Sequence, residues 1–322
     1  MNILITGGAG YIGSQISYKL SDDKIKHSIL DNFSTGNKKL LNPEANFFNL
    51  NFGDKKNLKR IISEKKINCI IHLAASISVP ESMKNPQKYY QNNVINLINL
   101  LDVCKETKIK YFIFSSTASI YGETTKSTVS ENDIKNPTNI YGKTKLIGEE
   151  LIKYYSKKID LNYAILRFFN VIGADSWRRT GPILNQGHLF GNILENIKKK
   201  NFKVTIFGNK YLTKDGTGIR DYIDVEDIAQ IHIDAIKLVK DKKKSYILNC
   251  GNSLGYSVYD IIRNFEKLTK KKFSIKIKKP RPGDVAKVVC NNKKIKKVLK
   301  LKKKKSMLKS IEHSIKWKLL SN

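Results

Sequence analysis

Long apolar runs are missing from this chain. No stretch approaches the roughly 20 residues that a helix needs to cross a bilayer, so no membrane partner is expected. The opening MNILITGGAG has neither a basic lead-in nor a small-residue cleavage site, and reads as a core strand rather than an export signal. Cysteines are few. Cys69, Cys104, Cys250 and Cys290 lie far apart, without a CxxC pair or clustered histidines. That pattern argues against a disulfide framework or a metal site and points to reduced, mostly buried thiols in a cytoplasmic protein. With seven prolines and 40% hydrophobic residues, the composition is that of a folded chain and not a disordered one. Its 322 residues suffice for a sizeable core and for two domains, or one with a large extension.

Arginine is the other scarcity. The formal net charge is +32, yet only seven of the 60 basic residues are arginine. Proteins that read bases and phosphates favour arginine's bidentate fork. The lysines are instead spread along the chain among many Asn and Ile residues. Their densest run, KKIKKVLKLKKKKSMLK at 293–309, reads as a solvated helix face. The charge therefore implies no specific nucleic-acid partner.

What is present is an alternation. Short apolar runs at 2–6, 27–30, 46–50, 68–74, 110–116 and 161–168 read as strands. Between them, 12–21, 55–66, 86–107 and 141–158 carry apolar residues at helical spacing. Near-continuous apolar strands alternating with helices predict an α/β fold, a doubly wound parallel sheet covered on both faces. After Asn170 the rhythm breaks into VIGADSWRRTGPILNQG, and a final helix is expected around 306–319. Residues 1–170 form the expected dinucleotide-binding, Rossmann-type domain. Residues 171–322 form a smaller, mixed α/β substrate domain, with a segment near 216–250 returning to the first.

The first strand is followed by ITGGAGYIGS, in which Gly7, Gly10 and Gly13 make a G-x-x-G-x-x-G pattern where a helix opens. Glycine permits a tight turn there and lets backbone amides and the helix N-terminus approach a pyrophosphate. The second strand ends at Asp31, where an acid accepts hydrogen bonds from the ribose hydroxyls of NAD and disfavours the extra phosphate of NADP. Asp54, after the third strand, is placed either to meet the adenine amino group or to cap a helix. The fifth strand ends in FSSTASIYG, so Ser115, Ser116 and Thr117 emerge where ligands of open α/β sheets bind. In NPTNIYGKTK, Tyr141 and Lys145 are four apart and share one helix face.

The glycine pattern, the S-S-T triplet and Y-x-x-x-K occur in the order and spacing of the extended short-chain dehydrogenase/reductase family, which this chain resembles. The likeness continues through LRFFNVIGAD, GTGIRDYIDVEDIAQ, NCGN and RPGD, a run similar to the UDP-glucose (UDP-galactose) 4-epimerases, and it covers nearly the whole chain. The resemblance implies catalytic roles for Tyr141 as base, Lys145 as its tuning cation and Thr117 as a partner of the reacting oxygen. A free tyrosine titrates near ~10, and lowering it by roughly three units takes about 4 kcal/mol of differential stabilisation. NAD contacts are implied at Gly7, Gly10, Tyr11, Ile12 and Gly13, at Asp31, Asn32 and Asp54, and at Ala74, Asn93, Ser115 and Phe168, beside Tyr141 and Lys145. UDP-sugar contacts are implied at Thr117, Tyr141, Asn170, Arg220, Arg281, Asp284 and Val288. His188 falls near the nucleotide without a catalytic role.

Related dehydratases carry an acidic pair just after the hydroxyl residue, and related decarboxylases a glutamate; this chain has Ala118 and Ser119 there. Without a second acid or base, the resemblance implies C4 epimerisation of a UDP-hexose through a 4-keto sugar. A reductase, an epimerase acting at another carbon, and a non-catalytic NAD- or RNA-binding member of the fold remain alternatives. Two positions depart from the pattern. Ile77 stands where some 4-epimerases place a lysine near the cofactor phosphates. Val288 stands where a bulky residue restricts the site to plain hexoses, so UDP-GlcNAc and UDP-GalNAc are also expected substrates. A homodimer through helices around 88–107 and 141–158 is implied, although Val94, Leu97, Leu101 and Cys104 equally suit core packing.

Overall fold

The structure, a computed structural model, describes residues 1–183, 189–199, 202–299, 301 and 304–320. Its first half runs β1 (Ile3–Thr6), α1 (Tyr11–Asp22), β2 (His27–Asp31), β3 (Asn46–Asn49), α2 (Lys55–Glu64), β4 (Cys69–His72), α3 (Val79–Lys84), α4 (Pro86–Tyr90), α5 (Asn96–Glu106), β5 (Tyr111–Thr117), α6 (Ile140–Lys158) and β6 (Asn162–Phe168). The second half follows with β7 (Asn170–Ile172), α7 (Leu189–Asn196), β8 (Lys203–Phe207), β9 (Ile219–Asp224), α8 (Val225–Lys242), β10 (Tyr246–Cys250), β11 (Gly255–Tyr256), α9 (Val258–Thr269), β12 (Ser274–Lys278), β13 (Lys287–Val288), α10 (Lys293–Val298) and α11 (Met307–Leu320). The strands and long helices of the first half fall where the apolar periodicity placed them. The exception is 86–107, where a π-helical turn at Gln91–Ile95 separates α4 from α5.

Seven strands pair in the order β10-β6-β5-β4-β1-β2-β3, all parallel. Apart from the exposed edge strand β3, both faces are buried, which explains the unbroken apolar strands. Successive residues supply opposite cores. On β1, Ile3 and Ile5 face one core with α1 and α8, while Leu4 faces the other with α2, α5 and α6. On β5, Ile113 joins the first core and Phe112 and Phe114 the second. Val94, Leu97, Leu101 and Cys104 are buried, and the last three belong to this second core. All four cysteines are buried and unpaired.

The chain order reverses between β1 and β4, and a ligand crevice opens beyond the carboxyl ends of strands at such a switch point. Over that end lies the rest of the second half. It comprises β11-β9-β13 with β7 on β9, the pair β12-β8, and a separate core containing Phe190, Ile206 and Phe265. No described helix is long and apolar enough to cross a membrane. The lysine run is not wholly solvated: Lys304 donates to the Gly251 carbonyl (2.6 Å) and Lys305 pairs with Glu226.

Lysine also occupies an unusual backbone position. Helices α1, α2 and α5 end with Lys24, Lys66 and Lys108 at φ 55°, 49° and 54°. Each is followed by an isoleucine whose amide reaches back to the last turn (Ile25 to Leu20, Ile67 to Ile62, Ile109 to Cys104). This is the termination normally built on glycine, because the left-handed conformation costs other residues about 1–2 kcal/mol. Replacing each lysine by glycine is expected to stabilise the fold by roughly 0.5–1 kcal/mol, and the triple variant to raise Tm by about 2–4 °C. A lowered Tm in a thermal melt would mean that lysine's charge at the helix C-terminus outweighs the strain.

Candidate active site

The turn after β1 is packed too tightly for side chains. Gly7 has φ 76°, and a Cβ on it would lie 2.7 Å from the Ala74 amide nitrogen, across the switch point. A Cβ on Gly13 would lie 2.2 Å from the Gly7 carbonyl oxygen. Backbone alone therefore lines this turn, and α1 opens at Tyr11 with no side-chain cap. The amides of its first turn (Tyr11, Ile12 and Gly13) have no partner within the helix. At the end of β2, Asp31 takes the Ala9 amide on one oxygen (2.9 Å) and the Phe33 amide on the other (2.8 Å). Each oxygen keeps a lone pair for a further donor. Burial pushes its pKa up and the two amides pull it back. A bare-backbone cradle at a helix N-terminus, with an oriented acid beside it, fits the diphosphate and ribose of a dinucleotide such as NAD.

The other residues expected at the cofactor fall into two groups. Ala74, Ser115 and Phe168 lie close to the carboxyl ends of β4, β5 and β6, and of these Phe168 lines the cleft beyond them. Asn32 is exposed and accepts the Ser34 amide (3.1 Å). Three others have side chains already engaged. Tyr11 donates to the Gly173 carbonyl (2.6 Å), which leaves its backbone amide for a ligand. Asp54 caps α2, one carboxylate oxygen on the Asn57 amide (3.1 Å) and the other on its side chain (2.8 Å). Asn93 ties the loop after β4 to α6, exchanging hydrogen bonds with the Ser76 backbone and donating to Thr144 (3.1 Å).

Helix α6 starts just after Pro137. Asn139 caps it by accepting the Gly142 amide (2.8 Å). A Cβ on Gly142 would lie 2.7 Å from the Ser119 carbonyl, so glycine lets the helix start against the loop that follows β5. That contact brings Tyr141 to Thr117, whose hydroxyl hydrogen-bonds the phenol and also accepts the Ser119 amide (3.1 Å). One turn on, Lys145 is buried, with its ammonium donating to the Ser115 carbonyl (2.8 Å) and 4.8 Å from the Phe114 ring centre. Burial dominates both titrations. It pushes Tyr141 up to about 12, against the Thr117 hydrogen bond, and Lys145 down to about 7, against the pull of Glu149. The protein alone thus holds the phenol protonated at neutral pH, and the lysine expected to lower it does not offset the lost hydration.

Beyond Thr117 a cleft of about 740 Å³ separates the sheet from the second half. Thr117, Asn170, Arg220, Arg281, Asp284 and Val288 all line it. Arg220 on β9 is aimed by its own donors, which meet the Val285 carbonyl (2.6 Å) and the Ile219 carbonyl (2.9 Å). Arg281 pairs with Asp284 (2.9 Å) and lies 5.0 Å from the Phe207 ring centre. Val288 is buried beside Ala118, Tyr121 and Phe169. Ile77, Ala118 and Ser119 also line the cleft, so neither position after Thr117 carries an acid; the acids in the lining are Glu81 and Asp284. His188 lies outside the described residues.

Residues 3–251 match the model of the NAD dependent epimerase/dehydratase family. This chain belongs to that family. It is 38% identical over 305 residues to a UDP-glucose 4-epimerase of Lactobacillus helveticus, covering 94% of this chain and 92% of the relative. A crystal structure of UDP-glucose 4-epimerase from Brucella ovis in complex with NAD superposes with a TM-score of 0.92 at 30% identity, over 98% of this chain and 97% of that one. The UDP-Glc/GlcNAc 4-epimerase of Campylobacter jejuni superposes with a TM-score of 0.84 at 36% identity, over 99% of each chain. The family resemblance and the doubly wound fold read from the sequence are both borne out.

Phe207 and Tyr211 were not legible as cleft residues, although both line this family member's cleft. They flank a turn at Gly208, and only the folding of β8 against β12 carries them to the cleft wall. Nothing in local spacing signals that.

Proposed function

We propose that the protein interconverts UDP-hexoses at C4 with NAD as cofactor. The observation that carries this reading is the convergence of Thr117, Tyr141 and Lys145 at the end of β5, beside a cradle for a dinucleotide and a cleft lined by Arg220 and Arg281. Bound NAD, held by the turn after β1 and Asp31, would supply a reversible hydride acceptor for the C4 hydrogen of the sugar and a positively charged ring. Tyr141 takes the proton of the C4 hydroxyl and later gives one back to the 4-keto oxygen. Thr117 donates to that oxygen, and Lys145 favours the phenolate by its charge. Arg220 and Arg281 hold the diphosphate end by charge-assisted hydrogen bonds, with Asn170 and Asp284 as further polar contacts. Ala118 and Ser119 offer no second acid or base, so the 4-keto sugar has no route to lose water and is reduced on its other face.

Proton NMR in heavy water on UDP-glucose tests the reading. A galacto-configured product with its C4 hydrogen retained is expected. Deuterium in the ring, or a deoxy-keto sugar, would overturn it.

The small Val288 side chain, and a Campylobacter relative named for both UDP-Glc and UDP-GlcNAc, support N-acetylated sugars as substrates too. Val288→Tyr is then expected to lower UDP-GlcNAc turnover by roughly 10–100-fold, the cost of overfilling a packed site, while UDP-glucose turnover stays within about threefold. Equal losses on both sugars, at unchanged Tm, would remove Val288 from the selectivity argument.

A homodimer through α5 and α6 is part of the same reading. The exposed apolar residues Ile95, Ile147 and Tyr154 support it, and sedimentation would give the mass. Four buried, unpaired thiols support a cytoplasmic location.

A further inference from the structure

Three consecutive residues of β5 each hold one of three residues spaced by four on α6. The Ser115 carbonyl takes the ammonium of Lys145, and the Thr117 hydroxyl hydrogen-bonds the phenol oxygen of Tyr141. Between them, the Ser116 hydroxyl donates to Glu149 (2.5 Å). Glu149 is fully buried, one turn beyond Lys145 on the same face. Its carboxylate also accepts two parallel bonds from Arg167, Nε at 2.9 Å and Nη2 at 2.7 Å. Arg167 is the residue of β6 that stands opposite Ser116 in the parallel register. The remaining Arg167 nitrogen donates to the Tyr121 hydroxyl (2.9 Å) and the Glu131 carbonyl (3.0 Å), and Tyr121 donates onward to Asn249 (2.6 Å).

A buried ion pair adds little net stability over apolar residues of the same volume, since desolvation offsets the attraction. Its presence directly behind the catalytic pair calls for another reason. We propose that Glu149 is a positioning residue for the reaction: through Ser116 and Arg167 it sets the depth and register of α6 against β5, and its buried negative charge balances the ammonium of Lys145. The inference rests on the epimerase reading above.

The groups around Lys145 leave Glu149 as the source of that charge. On its own helix it meets Tyr141, held neutral, and Glu149. From β5 it meets the Ser115 carbonyl and the Phe114 ring, and from β4 His72, whose pKa burial and Lys145 together push down. Of these only Glu149 carries a negative charge, and it alone draws the Lys145 pKa upward against burial. Removing it lowers the lysine pKa further. The ammonium then deprotonates at lower pH, and the phenolate it supports becomes harder to form.

The test uses full-length, NAD-loaded protein. In Glu149→Gln the alkaline limb of the kcat profile should move down by about one pH unit, and kcat at neutral pH should fall by roughly 10–100-fold, with KM for UDP-glucose unchanged. Glu149→Asp keeps the charge but not the reach, so kcat should fall while the limb stays in place. Because Arg167 is left unpaired in Glu149→Gln, the double variant Glu149→Gln/Arg167→Gln is the control. Wild-type Tm with the limb still displaced supports the proposal. Wild-type Tm with a wild-type pH profile reduces Glu149 to a structural partner of Arg167 and overturns it. The phenolate absorbance of Tyr141, taken against Tyr141→Phe, separates the two levels of inference. A wild type without turnover on UDP-hexoses overturns the epimerase reading, whereas an unchanged phenolate titration in Glu149→Gln overturns the positioning role.

Discussion

Tyr141→Phe is expected to lower kcat by about 10³-fold while NAD and UDP-sugar affinities change by less than about threefold. The substitution removes one oxygen from a ring that the fold already holds in place. Asn139 caps the helix start, Gly142 lies against Ser119, and Lys145 sits on the Ser115 carbonyl; none of these contacts uses the phenol. Thr117 keeps its bond from the Ser119 amide. What is lost is the hydroxyl that the proposed mechanism uses to exchange a proton with the C4 oxygen. Burial pushes Tyr141 up to about 12, so the proposed mechanism needs positive charge near the phenol to bring it down. The acid limb of the kcat profile should therefore report the Tyr141 phenol in the ternary complex and be absent from Tyr141→Phe. Steady-state rates across pH, with equilibrium binding of both ligands, check this. A variant with kcat within tenfold of wild type would mean that another group moves the proton.

Gly13→Ala is expected to reduce NAD affinity by at least about 100-fold and to lower Tm. The added Cβ would sit 2.2 Å from the Gly7 carbonyl oxygen and 2.8 Å from the Gly8 Cα, and both of those are backbone. Relief has to come from the turn itself, because no flexible side chain can yield. The turn is held from several sides: Gly7 donates to the Leu30 carbonyl (2.8 Å), Gly10 to the Gly7 carbonyl (3.1 Å) and Ala9 to Asp31 (2.9 Å). A shift large enough to admit the methyl group breaks the cradle and turns Asp31 away together. Bound NAD measured on the purified variant, with melts in the presence and absence of added NAD, reads both effects. Wild-type NAD content would show that the turn relaxes without moving its amides.

Much of the site was legible because its parts are local. The glycine pattern needs only its position between a strand and a helix, and Tyr141 and Lys145 need only the pitch of one helix. Val94, Leu97, Leu101 and Cys104 were not decidable in the same way. An apolar stripe looks the same whether it meets the sheet or a second subunit, and burial against the sheet settled it for Leu97, Leu101 and Cys104. The role of Asp54 was open for a related reason: capping and ligand binding both call for a carboxylate at that point, and the side-chain geometry shows it capping α2.

The sequence by itself determined the parallel sheet, the glycine turn after β1 and the placement of Tyr141 and Lys145 on one helix face, since strand and helix periodicities and short spacings are written over a few residues. Only the tertiary structure decided what surrounds them. Ser116, Glu149 and Arg167 lie on three elements and meet because β5 and β6 pair in one register under α6. Arg220 faces the cleft because the Val285 and Ala286 carbonyls, in the segment leading into β13, hold its guanidinium. The protonation of Tyr141 and Lys145 follows from how much water the packed fold removes, and that is a property of contacts far apart in the chain.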